Sequence, residues 1–427
     1  MSKPNRKKDK TMSQLNSIAQ LLEIKDSNIS FFKVEDLRTT KNSVVYHFKV
    51  IHARLSYQLF RCPHCGFRSL IKNGTTLTKL RLPTLNGPMI LMYLRKQRYF
   101  CKSCQTTCGA NTPIVEKNHS LTRALNSAVF KLAKQSLTVV TIAKIVGISP
   151  SSVARILYHN FQRPQRVATL PEQLCFDEFK SVGRSYSFIA IDAESHNLIS
   201  ILDDRLSKNI CAYFENRYSL DERSTVKSVV IDLNANYQLF IRRLFPNAEI
   251  IIDRFHVVQL INRAFDQLRV KILKQQGDKH SRIYKALKIN WRLFHKDTEK
   301  INRSKTQYFR GLNEYMTQQN LIDLGLSTNS KLKYTYETAH QIQEAIKKQD
   351  SKKLRQVLTN YQKQQSPMDT SITTLKKNLK YVSNSCESSL SNGPIEGINR
   401  KIKALKRICY GFKNMDHFYA RILLIVK

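Results

Sequence analysis

The order of apolar and polar positions divides the chain into stretches of different character. Val45 to Ile51 and Leu94 to Phe100 read as strands, each leading into a pair of cysteines. From 120 to 160 the apolar positions recur with the helical period. Short apolar runs then appear at Leu174–Phe176, Tyr186–Ile191, Leu198–Leu202, Val226–Ile231 and Ile250–Ile252, with helical stretches near Ile210–Tyr218 and Tyr237–Phe245. Strands alternating with helices predict a mixed α/β domain. From Phe255 to about Leu379 the pattern is long, polar and helical. A loop follows at Ser388–Gly393, and a basic amphipathic helix starts near Pro394. No internal repeat is visible.

Charge changes this picture most. The 427 residues hold 71 Lys and Arg against 32 Asp and Glu, a formal net charge of +39. So one-sided a surface repels itself and calls for a large polyanionic partner, of which nucleic acid is the obvious one. The cations run from Lys3 to Lys427, so the partner is expected to touch several domains. Hydrophobic residues make up 41%, enough for packed cores in two to four domains. Met1 to Lys10 are basic with no apolar stretch behind them, and no run has the length of a membrane helix. A soluble, cytoplasmic protein with no membrane partner is expected, with residues 1–12 lacking fixed structure.

Nine cysteines in a reducing compartment argue against a disulfide framework. Cys62-Pro-His-Cys65 and Cys101-Lys-Ser-Cys104 are two C-x-x-C knuckles, whose four thiolates suit a tetrahedral Zn²⁺. The plain alternative is four buried, unliganded cysteines. His64 and Cys108 are spare candidates, and Cys175, Cys211, Cys386 and Cys409 read as core.

Leu137 to His159 has the layout of a helix-turn-helix. Thr138 or Thr141 caps a first helix carrying Ile142, Ala143, Ile145 and Val146. Gly147 supplies the positive φ of the turn. Ser149 caps the second helix, with Pro150 at its first position. Val153, Ile156 and Leu157 then face the core, and Ser151, Ser152 and Arg155 face DNA bases. An ordinary helical hairpin is the alternative.

Acidic residues are scarce, so their placement is informative. Asp177 follows Leu174-Cys175-Phe176, and Asp232 follows Val229-Val230-Ile231. Strand-end carboxylates of this kind suit two-metal phosphoryl transfer, because Mg²⁺ or Mn²⁺ prefers oxygen ligands. A third carboxylate should come from a helix packed beside the sheet. Glu396 fits, in the first turn of the helix opened by Pro394, with Asn399, Arg400 and Lys403 on the same face. Taken alone, Glu396 would read as a capping glutamate. Asp192, Glu178 and Asp253 compete. In a ribonuclease-H-like order the first and fourth strands carry the two aspartates, which here are Asp177 and Asp232, and Asp253 ranks behind as the end of the fifth strand. His256, in Asp253-Arg-Phe-His256, reads equally well as a DNA contact or a structural histidine.

These blocks together resemble the ISL-three family of bacterial insertion-sequence transposases, members of the DDE group. The resemblance rests on the two knuckles, the helix-turn-helix, Phe176-Asp-Glu-Phe179, Asp232-Leu-Asn-Ala-Asn-Tyr237, Phe245-Pro-Asn-Ala248, Ile252-Asp-Arg-Phe-His256, Ser391-Asn-Gly-Pro-Ile-Glu-Gly397 and Arg407-Ile-Cys-Tyr-Gly-Phe412. It implies an α/β ribonuclease-H-like catalytic domain interrupted by a large helical insertion at about 257–385. The expected layout is a basic segment over 1–44, a zinc-binding module over 45–115, a helix-turn-helix domain over 116–165 and the catalytic domain over 170–427. It also implies cleavage and strand transfer at terminal inverted repeats by Asp177, Asp232 and Glu396 with Mg²⁺ or Mn²⁺, on double-stranded element ends and target DNA. Arg400, Lys401, Lys403, Lys406 and Arg407 are expected on backbone phosphates, with Asn399 beside them. Pairing two ends calls for a homodimer or a larger assembly. The alternatives from other classes are a non-catalytic DNA-binding regulator derived from a transposase, and a tyrosine recombinase using Tyr410 or Tyr419.

Overall fold

The computed structural model describes residues 18–41, 44–84, 87–183, 185–233 and 235–426. The expectation for residues 1–12 lies outside the described residues. The chain divides into two compact units, Met1–Arg163 with Ala404–Ile425, and Pro164–Lys403 with the last two residues.

The first unit opens with β1 (Ile29–Lys41), β2 (Val44–Leu55), β3 (Leu70–Leu82), β4 (Met89–Cys101) and β5 (Thr107–Gly109). They form one sheet in the order β1-β2-β4-β3, with β5 added to β4. β2 and β4 run parallel and the other pairs antiparallel. Alternate residues Ile51, Ala53 and Leu55 of β2 and Ile90, Met92 and Leu94 of β4 face one core with Ile29, Leu80 and Leu82. The sheet therefore begins at Ile29, inside the segment expected to be only a basic arm, because β1 has its own register on β2 from Ile29 to Lys41.

Three helices follow: α1 (Arg123–Lys134), α2 (Val139–Val146) and α3 (Pro150–Tyr158). Their apolar faces meet in a separate small core of Leu125, Val129, Ile142, Ala143, Val146, Val153 and Leu157. Among the described residues no single helix is long and apolar enough to cross a membrane.

The second unit is built on β6 (Gln173–Lys180), β7 (Tyr186–Asp192), β8 (Leu198–Leu202), β9 (Ser228–Ile231) and β10 (Glu249–Ile252). Helices α4 (Ser207–Arg217) and α5 (Leu220–Ser224) lead to β9, and α6 (Ala235–Leu244) joins β9 to β10. The sheet order is β10-β9-β6-β7-β8. β6, β9 and β10 are parallel, whereas β6-β7-β8 is an antiparallel meander. All five strands fall where the apolar runs predict them. On one face Leu174, Phe176, Phe188, Val229, Ile231, Ile250 and Ile252 pack with Phe214 and Phe240 from the helices and with Phe245 just after α6.

Between β10 and the Glu396 helix the chain is helical, as expected. It runs through α7 (Arg254–Gln275), α8 (Arg282–Ile289), the hairpin strands β11 (Gln307–Phe309) and β12 (Glu314–Met316), α9 (Gln318–Leu326), α10 (Ser330–Lys347), α11 (Ser351–Asn360), α12 (Pro367–Lys377) and α13 (Leu379–Glu387). The hairpin was not expected. It belongs to a second core of this unit, with Phe265, Leu287, Phe294, Phe309, Met316, Leu321 and Leu332.

α14 (Gly393–Ile408) and α15 (Met415–Val426) end the chain. Ala404–Ile425 pack with the first unit. Within that unit Arg421 is buried and its guanidinium donates to the carbonyls of Ala133 and Leu137. Arg163 pairs with Asp416 at 2.5 Å, and Tyr158 stacks on His417. Removing such a buried cation from its carbonyl acceptors is costly, so the last helix is held where it is.

Candidate functional sites

The knuckles are shaped for one ion. Cys62 Sγ lies 3.7 Å from Cys104 Sγ, and Cys65 Sγ lies 3.6 Å from Cys101 Sγ. All four sulfurs fall within 4.8 Å of one another. A tetrahedron of Zn–S bonds of about 2.3 Å has edges of roughly 3.8 Å, so both pairs match it. Gly66 has φ +74°, which lets the first knuckle close with its N–H on the Cys62 carbonyl. The Thr106 hydroxyl and backbone N–H pull the Cys104 thiol down to about 6, toward the thiolate a metal needs. His64 is exposed outside the group, and Cys108 is not part of it.

The helix pair is capped as the sequence predicts. Thr138 Oγ1 accepts from the Thr141 N–H, and Ser149 Oγ accepts from the Ser152 N–H with Pro150 at the first helical position. Gly147 ends α2 at φ +69° and ψ 32°. The left-handed backbone favours glycine, and a Cβ there would sit 2.4 Å from Met89 Sδ, so the Met89 side chain would have to move to admit one. The two helices cross at a bend of 112°. Val153 and Leu157 are buried, Ile156 is half-buried, and Ile145 is exposed. On α3, Ser151 and Arg155 are exposed, while the Ser151 and Ser152 hydroxyls both lie 2.9 Å from the capping Ser149.

The acidic site sits where the parallel pairing of β6, β9 and β10 stops; Asp177, expected at a strand end, lies inside β6, which runs on to Lys180 against β7. Cys175 is level with Val230 on the adjacent strand, and Ile252 is level with Ile231. Two residues beyond Cys175 and Val230 stand Asp177 and Asp232, and one beyond Ile252 stands Asp253. The two-residue period puts all three on the sheet face opposite the Phe176 core. Burial pushes the Asp177 carboxyl up to about 6. The Glu178 N–H opposes that rise, the charge of Asp232 adds to it, and His256 opposes it. Asp192 sits opposite Leu174 at the other end of β6 and holds its own turn through Ser195 and the Glu194 N–H.

α14 supplies the rest. Ile395, Ile398, Ile402 and Leu405 are its buried stripe. Glu396 lies 3.8 Å from His256 Nε2 and 3.3 Å from the Arg400 guanidinium. Its carboxylate groups with Asp253 and His256 within 4.8 Å, a cluster that does not include Asp177 or Asp232. Asn399, expected on DNA, donates from Nδ2 to Asp177 Oδ2 at 2.7 Å. Arg400, Lys403 and Arg407 are exposed, and Lys406 is half-buried. Glu178 is half-buried and accepts from Arg205 at 2.5 Å and from the Tyr237 hydroxyl at 2.9 Å. The Asn399 and Tyr237 ties were missed in the sequence. The spacing of Asn399, one helical turn after Glu396, was the available signal. Of the tyrosines weighed as nucleophiles, Tyr410 is exposed, and Tyr419 is buried with the Arg163 guanidinium over its ring.

Comparison with known proteins decides the family. The family pattern described as "Transposase" for ISL3 elements matches residues 174–422. The chain belongs to the ISL3 family of transposases. The helix-turn-helix domain of transposase family ISL3 matches residues 110–159. The zinc-finger of transposase IS204/IS1001/IS1096/IS1165 matches residues 58–104. The transposase for insertion sequence element IS1001 of Bordetella parapertussis is 24% identical over 383 residues, 87% of this chain and 90% of its own. A shorter match, 30% identical over 123 residues, covers 29% of this chain and 40% of a Lactococcus lactis protein named ATP-dependent protease. So short a match carries no activity to this transposase. The zinc-finger match and the four-cysteine group together support Zn²⁺ in the first unit. The helix-turn-helix makes the transposase a DNA-binding protein.

Proposed function

We propose that this transposase cleaves DNA at the terminal inverted repeats of its insertion sequence and joins the freed ends to target DNA. The catalytic domain is ribonuclease-H-like in this reading, with Asp177, Asp232 and Glu396 holding two divalent cations, Mg²⁺ or Mn²⁺. The observation that carries it is the placement of Asp177 on β6 level with Asp232 just past the end of the adjacent parallel β9, the Asp177 carboxyl being raised first by burial and further by the charge of Asp232. Carboxylates that crowd one another fit a cation, which relieves the repulsion. When bound, the cations supply Lewis-acid activation of the attacking oxygen and stabilise the leaving one.

The residues divide the work. Asn399 holds Asp177 Oδ2 and the Glu178 N–H holds Oδ1, so the carboxylate is fixed in orientation, with lone pairs of both oxygens left for a cation. Arg400 and Lys403, exposed one and two turns beyond Glu396, hold the flanking phosphates. Water attacks the end phosphodiester, a P–O bond forms, the P–O3′ bond breaks, and a 3′-hydroxyl is released. That hydroxyl then attacks a target phosphodiester, forming one P–O bond as another breaks, so no covalent protein intermediate arises. Glu396 must leave its partners His256 and Arg400 to join Asp177 and Asp232, a change that DNA phosphates competing for Arg400 would favour. Two copies of the chain pair the two element ends. The test is cleavage of labelled end DNA with Mg²⁺. Asp177→Ala, Asp232→Ala and Glu396→Ala should each abolish cutting while end binding survives. Cutting by any of the three at the wild-type rate would overturn this assignment.

A further inference from the structure

Asp253 occupies the N-cap position of α7, where an aspartate ordinarily accepts from the N–H groups of its own helix. It makes no such cap bond. Instead Oδ1 accepts the backbone N–H of Asn392, 139 residues away, at 3.0 Å. The Asn392 carbonyl in turn accepts the Glu396 N–H at 2.9 Å. Two consecutive hydrogen bonds therefore run from Asp253 to the residue that carries the third carboxylate. At its other end Asp253 is fixed to the sheet, its N–H donating to Ile231, the residue before Asp232, at 2.9 Å.

The surroundings reinforce the same joint. Arg254 donates to the Ser389 carbonyl, and the Cys175 thiol donates to the Ser391 carbonyl. Asp253 is 2% exposed and Asn392 fully buried, yet Asp253 Oδ2 and both amide atoms of Asn392 have no hydrogen-bond partner. Such groups cost stability, and an apolar pair would be cheaper to bury. A carboxylate kept here at that cost points to a role other than stability.

We infer that Asp253 is a positioning residue: it latches the Ser388–Asn392 loop to the sheet and so sets where Glu396 stands relative to Asp177 and Asp232. This rests on the reading of those three carboxylates as the metal-holding set. Asp253 acts through a carboxylate oxygen as acceptor, and its negative charge is not what the joint uses. An asparagine keeps an acceptor oxygen at the same place and gives the unpartnered position an amide. An alanine removes the acceptor and orphans the Asn392 N–H.

The experiment measures single-turnover cleavage of end DNA by the zinc-loaded full chain over a range of Mg²⁺ concentrations, with end binding measured separately. Asp253→Asn should cut within about threefold of wild type, since the accepting oxygen remains. Asp253→Ala should lose ~10–100-fold in rate and require more Mg²⁺ for half-maximal cutting, as expected when a partner that orients a ligand is removed. Both should bind the end normally. Asp253→Asn as dead as Asp232→Asn would make Asp253 a ligand and overturn the inference. Wild-type cutting by Asp253→Ala would overturn it too. If Asp253→Ala fails to fold, Asp253→Asn alone still separates acceptor from ligand. Asp232→Asn is the control, and full activity there would sink the three-carboxylate reading itself, whatever position 253 does.

Discussion

Replacing Asn399 by alanine separates two roles that the sequence alone cannot tell apart. Asn399 Nδ2 lies 2.7 Å from Asp177 Oδ2, whereas its own Oδ1 is buried without a partner. Truncation removes a hydrogen bond to a carboxylate, worth about 1.5–3 kcal/mol, together with an unsatisfied carbonyl that costs about 1–3 kcal/mol. The two nearly cancel for folding, so the thermal midpoint should move by no more than a few degrees. They do not cancel for chemistry, because the carbonyl plays no part in orienting Asp177. Losing 1.5–3 kcal/mol of orientation corresponds to a fall of roughly 10–150-fold in cleavage rate. The assay is single-turnover cutting of end DNA, with binding of the same DNA measured by anisotropy at fixed salt. The expected result is slow cutting with unchanged binding. Weakened binding with normal cutting of bound DNA would refute the argument and return Asn399 to the DNA surface.

Three further outcomes follow from other parts of the fold. Zinc should remain with the wild-type chain through gel filtration and be lost from Cys101→Ser but not from Cys108→Ser, as measured by atomic absorption; equal retention in all three would remove the metal from the knuckles. Gly147→Ala should destabilise the first unit by about 1–2 kcal/mol, from the left-handed φ and the displaced Met89, and reduce end binding. Adding Met89→Ala should recover only the packing share, and a neutral melt for Gly147→Ala would contradict the turn geometry. Burial lowers the His340 pKa below its usual 6.5, with Nε2 held 3.1 Å from the Phe294 carbonyl. The unfolded chain then binds the proton more readily, so this contribution to stability is complete above about pH 6.5 and is lost as pH falls below it. His340→Gln should flatten that part of the stability profile in denaturant titrations, and an unchanged slope would show that another group controls it.

The parts of the molecule that were legible are those whose signals are local. The five strands of the second unit announce themselves as apolar runs because their faces are buried, as at Val229, Val230 and Ile231. The caps at Thr138 and Ser149 and the turn at Gly147 depend on neighbours a few residues away. β3 was not legible, since most of Leu70–Leu82 is exposed and only its last residues alternate. β1 carries charged residues on an exposed surface and pairs with a strand that follows the expected basic segment. The small hairpin of β11 and β12 has three residues in each strand, too few for a period to register. In the site, counting strands puts Asp177 and Asp232 on or just past two strands that do lie side by side. Whether Asp253 turns toward a metal or toward the Asn392 N–H depends on a partner 139 residues away, which no local pattern encodes. The same holds for Asn399, whose helix face was predicted but whose partner, Asp177, is 222 residues distant.

The most direct test of the central claim exchanges a carboxylate for a thiolate and asks which metal restores cutting. Mn²⁺ tolerates sulfur as a ligand better than Mg²⁺ does, so a cysteine that replaces a true ligand should fail with Mg²⁺ and recover with Mn²⁺. Cleavage of end DNA by Asp232→Cys should follow that pattern, and Asp253→Cys should show no recovery specific to Mn²⁺. Normal cutting by Asp232→Cys in Mg²⁺, or a Mn²⁺ rescue found at position 253 and not at 232, would contradict the assignment of the metal-holding carboxylates.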